Sequence, residues 1–140
     1  MAALRRALFE EMGQAPERGD WAAFEREAAI AFETGIERGH CIAWLAEAGA
    51  APVGSSALLL YPHLPSPTSA APREGYLLSV YTVPAWRRRG VAAALVRAAI
   101  ESGRHMGLAR VRLHATSAGR AIYAAAGFGS RDDEMELKLP

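Results

Sequence analysis

At 140 residues the chain is long enough to bury a sizeable core and too short for two. One domain over residues 1–140 is therefore expected. Hydrophobic residues make up 51% and charged residues 22%, and 16 Lys and Arg against 15 Asp and Glu leave a formal charge of +1, so no global field draws the protein onto nucleic acid or an anionic membrane.

The N-terminal stretch "MAALRRALFEEMG" carries acidic residues and lacks the apolar core of a leader. No stretch of the chain is long and apolar enough to span a bilayer. A cytoplasmic protein with no membrane or nucleic-acid partner is the resulting expectation. Leu4, Leu8 and Met12 recur at helical spacing, and Gly13 is a stop signal. Asp20 can cap a second helix that runs to about Arg38, with Trp21, Phe24, Ala28, Ala31 and Phe32 as its apolar stripe.

"HCIAWLAE" and "PVGSSALLLY", joined by "AGAA", predict an antiparallel hairpin. Cys41, the single cysteine, lies in the first of these runs; it excludes an intrachain disulfide and zinc spacing, so a buried, inert thiol and no metal site are expected. The segment "PHLPSPTSAAPREG" holds four prolines and predicts a loop. "YLLSVYTV" is nearly continuous in apolar character and predicts a central strand. A helix is expected from Gly90 to about His105, with Val91, Leu95, Ala98, Ala99 and Met106 as its buried face and Gly107 closing it. "ARVRLHAT" alternates strictly, with Val111, Leu113 and Ala115 on one face and Arg110, Arg112 and His114 on the other. A short helix from about Ser117 to Ala126 and a last strand near "DEMELKL" complete the order.

Between the central strand and the long helix stands "VPAWRRRGVAAAL", Val83 to Leu95. A helix that starts near Gly90 leaves its first N–H groups unpaired, and its dipole makes them an anion site. Gly90 admits an anion without a Cβ in the way, and Ala92 and Ala93 stay small. Arg87, Arg88 and Arg89 add charge and bidentate donors suited to phosphate oxygens. Cations at a helix start oppose the dipole by about 0.3–1 kcal/mol each, so a merely solvated cluster would be self-destabilising. The partner indicated is a pyrophosphate. A P-loop would need G-x-x-x-x-G-K-[ST] and a Rossmann fingerprint G-x-G-x-x-G; neither is present, which leaves coenzyme A as the matching nucleotide.

Arg87-x-x-Gly90-x-Ala92 resembles the pyrophosphate-binding signature of the GNAT (GCN5-related) N-acetyltransferase family, Gln/Arg-x-x-Gly-x-Gly/Ala. "SAGRAIYAAAGF", Ser117 to Phe128, resembles the family's second motif, a short helix with a tyrosine four residues before a Gly-Phe pair. The resemblance covers the chain from the first helix onward. It implies an α+β fold, a mixed and mostly antiparallel sheet flanked by helices, with its parallel pair made by the unit Tyr76 to Thr116 and the family's usual first strand missing here. "TSAG" stands where the family often has an asparagine, and Ala92 where glycine is common.

The resemblance also implies a function: transfer of an acetyl group from acetyl-CoA to a primary amine by direct attack on the thioester. By the same resemblance Tyr81, Thr82 and Val83 hold the pantetheine arm, with an oxyanion donor from the backbone near Tyr81. The backbone from Arg88 through Gly90, Val91, Ala92 and Ala93 takes the pyrophosphate, and Tyr123 lies near the thioester sulfur. A phenol with a pKa near roughly 10 can protonate a leaving thiolate, which makes Tyr123 the expected general acid. For the base, Glu74, Ser79, His114 or water are the candidates. Glu134 and Glu136, alternating in the last strand, are further carboxylates for the acceptor cleft. The acceptor is expected to be a small-molecule or peptide amine, and relatives often form homodimers. An acyl-CoA-binding module that has lost transfer is the alternative; Tyr123 favours the enzyme.

Overall fold

The computed structural model describes residues 1–131 and 134–137. Two helices come first, α1 (Ala2–Glu11) and α2 (Trp21–Glu37). Asp20 caps α2, its carboxylate accepting the Ala23 N–H at 2.8 Å, as its position before the apolar stripe predicts. Of that stripe Phe32 is buried, whereas Ala31 is exposed.

The hairpin forms as expected. β1 (Cys41–Ala48) and β2 (Ala51–Pro62) pair antiparallel, and β2 pairs antiparallel with β3 (Arg73–Thr82). A short 3-10 turn, Pro84–Trp86, leads to α3 (Val91–His105), then to β4 (Val111–Arg112) and α4 (Arg120–Ala125). The sheet order is β1-β2-β3-β4, with β4 parallel to β3. The fold class agrees with expectation, a mixed sheet of four strands flanked by helices, with a helix as the first element.

Each face of the sheet carries its own core, as strand alternation requires. On one face Leu58, Leu60 and Leu77 pack with Val96 and Ala99 of α3, joined by Val111, Leu113, Ile122 and Phe128. On the other, Ala57 and Cys41 pack against Phe32 of α2, with Leu78 beside them. Cys41 is buried, and burial pushes its thiol pKa up, the signature of an inert thiol.

Four expectations are corrected. Val83 lies just beyond β3 rather than inside it, because Pro84 cannot donate to a ladder and begins the 3-10 turn. Glu74 belongs to β3 and is buried, not part of the loop read from "PHLPSPTSAAPREG". The strand read from "ARVRLHAT" shrinks to two paired residues, Val111 and Arg112. Finally, Glu134 to Leu137 carry no strand pairing and are exposed; the remainder of "DEMELKL" and Asp132 and Asp133 lie outside the described residues.

Candidate active site

Only Gly75 and Tyr76 of β3 pair with β4, through Val111 and Arg112. Beyond Tyr76 the two strands part. From Leu77 to Thr82 β3 keeps its partner β2 on one side, while its other edge has no ladder partner among the described residues. The register against β2 shifts between Ser55 and Ala57, opposite Ser79, which adopts φ 53°. A non-glycine residue in the left-handed region inside a strand marks a bulge that re-aims the side chains beyond it. Leu77 and Val80 consequently pack toward the same core, where strict alternation would set them on opposite faces. Buried Ser55 secures the bulge, its hydroxyl donating to the Ser79 carbonyl at 3.0 Å.

The re-aimed Tyr81 is buried, and its hydroxyl donates to Glu11 Oε2 at 3.3 Å. Thr82, next along, has a buried hydroxyl with no hydrogen-bond partner among the described residues. Val83 closes the strand by donating its N–H to Val53 O at 3.0 Å.

At the α3 entrance Gly90 takes φ 81° and no side chain caps the helix. Val91, Ala92 and Ala93 therefore present N–H groups without a side-chain acceptor, and a Cβ on Gly90 would meet nothing within 4 Å. Arg88 has φ 57°, so the backbone alternates in handedness from Arg88 to Gly90, a curl that gathers N–H groups into an anion nest. Small residues, helix start and nest thus meet at one place in the chain, the turn from Arg88 to Ala93.

The arginines divide their work. Arg87 turns from the loop: Nη2 pairs with Glu11 Oε2 at 2.5 Å, and Nε donates to Thr82 O at 3.0 Å. The contact with Glu11 holds that carboxyl below its usual range. Arg89 lies over the Trp86 ring at 4.9 Å, so Trp86 supports the loop. Arg88 is exposed at the turn.

Tyr123 comes from α4, which the GNAT-like second motif foretells. Its ring packs edge-on to Phe128 at 6.0 Å, and burial raises its phenol pKa above the ordinary value. Of the base candidates, Glu74 is clamped, accepting from Arg110 Nε at 2.5 Å and from Arg112 Nη2 at 2.6 Å. Burial pulls its pKa upward, but the two guanidinium groups outweigh that and leave it below the usual carboxylate range. Ser79 Oγ accepts from Arg5 Nη1 at 2.7 Å. His114 is exposed, and its Nδ1 shares a short hydrogen bond with the Tyr76 hydroxyl. A groove of about 740 Å³ along the outer side of β4 is lined by both His114 and Tyr123, with Arg110, Arg112 and Arg120 beside them.

Sequence reading missed Glu11 and Arg5, which brace β3 and the loop after it from α1, and the Tyr61, Tyr76, Arg110 and Arg112 cluster around Glu74 and His114. No local signal marks them: Glu11 meets Arg87 across 76 positions and Arg5 meets Ser79 across 74.

Among proteins of known family, the model of the Acetyltransferase (GNAT) family matches residues 2–128. A predicted acetyltransferase from Clostridium acetobutylicum, solved with acetyl-CoA, superposes with a TM-score of 0.86 at 22% identity, over 99% of this chain and 87% of that one. A GCN5-related N-acetyltransferase from Ralstonia eutropha JMP134 follows at 0.81 and 28%, over 99% and 89%. Glucosamine-6-phosphate N-acetyltransferase from Arabidopsis thaliana shares the fold at 0.70 with 12% identity, over 100% and 95%. No curated protein matches the chain.

Proposed function

Because the chain belongs to the GNAT acetyltransferase family, we propose that it moves an acetyl group from acetyl-CoA to a primary amine. The observation that carries this reading is the parting of β3 from β4 beyond Tyr76, directly before an uncapped α3 start. An extended pantetheine arm can take the place of the absent strand partner along Tyr81, Thr82 and Val83, with the orphaned Thr82 hydroxyl at its disposal. Its pyrophosphate then reaches the N–H groups from Arg88 through Gly90, Val91, Ala92 and Ala93, with Arg88 and Arg89 as the nearby charge. Arg87 serves this site by bracing the loop against Glu11.

The cleft between the strands lets two reactants meet, the acyl donor from the α3 face and the amine from the face carrying His114. The neutral amine attacks the thioester carbon, a backbone N–H of the bulged strand near Tyr81 holds the oxyanion, and the C–S bond then breaks. Tyr123, protonated at neutral pH as a phenol ordinarily is, gives its proton to the departing thiolate and regains one from solvent. The amine must shed a proton. Glu74 is held by two arginines and Ser79 by Arg5, which leaves His114 as the group to accept it. His114 Nδ1 meets the Tyr76 hydroxyl, and in the tautomer that carries its proton on Nδ1 the receiving atom is Nε2, directly or through water.

Titration calorimetry with acetyl-CoA, followed by a screen of amines with thiol release as readout, tests the reading. Micromolar binding and amine-dependent CoA release are expected. Binding without release from any amine would point instead to an acyl-CoA-binding module, and absence of binding would end the cofactor assignment.

A further inference from the structure

Arg5 is an arginine without a counter-ion. Its neighbour Arg6 pairs with Glu10 at 3.0 Å and with Glu25 at 3.3 Å, and Arg87, at the far end of the same helix, pairs with Glu11. Among the described residues no carboxylate meets Arg5. Its half-buried guanidinium lies 4.8 Å from the centre of the Phe9 ring and gives one donor, Nη1, to the Ser79 hydroxyl at 2.7 Å. Burial draws its pKa down, whereas the hydrogen bond to Glu10 raises that of Arg6. A cation held partly out of water with most of its donors unused is unfavourable until an anion joins it.

Its place in the fold indicates which anion. Val111 and Leu113 turn into the core under α3, so by alternation Arg112 and His114 turn to the opposite face, where Phe32 of α2 packs and where Arg5 reaches β3 from α1. Tyr76 and Arg112 are in register; Ser79 stands three residues on along β3 and His114 two residues on along β4. At roughly 3.3 Å per residue these are advances of about 10 Å and about 7 Å, so Arg5 with Ser79 on one side and His114 on the other flank the parting of the strands at nearly one level. One side offers a proton acceptor for an amine. The other offers donors alone, the guanidinium N–H groups and the hydroxyl of buried Ser79.

We propose that Arg5, with the Ser79 hydroxyl, holds a carboxylate of the acceptor, which makes the acceptor an amino acid or a close analogue, a small amine with its carboxylate a few bonds from the nitrogen. This rests on the acetyl transfer proposed for the site and narrows its substrate. The planar fork of a guanidinium meets a carboxylate in two parallel hydrogen bonds, and one positive charge balances one negative charge. A phosphate would bring a second charge to a face where Arg110 and Arg112 are already matched by Glu74 and Glu134.

Thiol release from acetyl-CoA, measured with the common L-amino acids and in parallel with their carboxamides, tests this, because a carboxamide keeps the size and the amine and loses the charge. The best acceptor should be an amino acid, with its carboxamide slower by about 30-fold or more in kcat/KM per neutral amine. Arg5→Gln should shrink that ratio below about threefold by slowing the amino acid alone, and Arg5→Lys, which keeps the charge without the fork, should hold it near about fivefold. Both acceptors are read on one protein, so any loss of folded enzyme cancels in the ratio. Equal rates for acid and carboxamide in the wild type, or an Arg5→Gln variant that slows both alike, would overturn the proposal and make Arg5 a brace of the bulge only. Release with a diamine or an amino sugar but with neither set would overturn it too, while leaving acetyl transfer standing. Release with no amine ends the transfer reading instead, and calorimetry of the same amino acids against CoA-saturated protein then decides: binding that Arg5→Gln abolishes upholds the carboxylate site, and no binding, or binding that survives the substitution, overturns it.

Discussion

Tyr123 brings a proton and a fixed position. Its phenol is protonated at neutral pH by its ordinary pKa near roughly 10, which burial raises further, and Phe128 holds the ring edge-on beside the groove. Tyr123→Phe keeps that packing and removes only the proton. We therefore expect kcat to fall by about 10²-fold while the acetyl-CoA dissociation constant changes less than about threefold, read by thiol release and calorimetry. Glu74 is the opposite kind of group, a carboxylate whose charge is spent on structure. Its folded pKa lies below the ordinary value, so its contribution is complete above about pH 5 and fades as pH falls through the folded pKa. Glu74→Gln should accordingly cost about 1–2 kcal/mol near pH 7, a figure kept small because Arg110 and Arg112 remain partly in water. Urea denaturation from pH 7 down to pH 3 checks this: the gap between the two proteins should close with acid, and a pH-independent gap would count against the charge explanation.

At the scale of elements, the entrance of α3 and the bulge of β3 do the positioning. Gly90 answers two demands, a left-handed backbone and open space before the first helical N–H groups. Gly90→Glu violates both and adds a negative charge where an anion should sit. Its acetyl-CoA affinity should drop by more than about 100-fold, whereas Gly90→Asn, which tolerates the left-handed conformation, should keep the fold and lose affinity less steeply. The helix starts, the hairpin and the loop motif were readable because their signals are local: a capping aspartate, alternation, and arginines running into a glycine. The bulge was not. "YLLSVYTV" shows no glycine at Ser79, and the register shift arises from pairing with β2, where the Ser55 contact lies 24 residues upstream. Glu74 was misread for the same reason, because its arginine partners lie 36 and 38 positions away and only the parallel pairing of β3 with β4 brings them together. The last strand read from "DEMELKL" does not form among the described residues, because a pattern of alternation names no partner.

For the whole molecule, α1 is tied to the β3 end and the loop before α3 across 76 positions of chain. The link between Glu11 and the cofactor loop has a further consequence, for the order in which reactants arrive. Glu11 receives both Tyr81 and Arg87, so the C-terminal end of α1 is moored to the strand and loop assigned to the acyl donor. If the pyrophosphate competes with Glu11 for Arg87, donor binding slackens that mooring and reshapes the face carrying His114 before the amine arrives. Steady-state patterns should therefore be sequential with acetyl-CoA binding first, CoA competing with acetyl-CoA but not with the amine, and Glu11→Gln should blur that order into random addition.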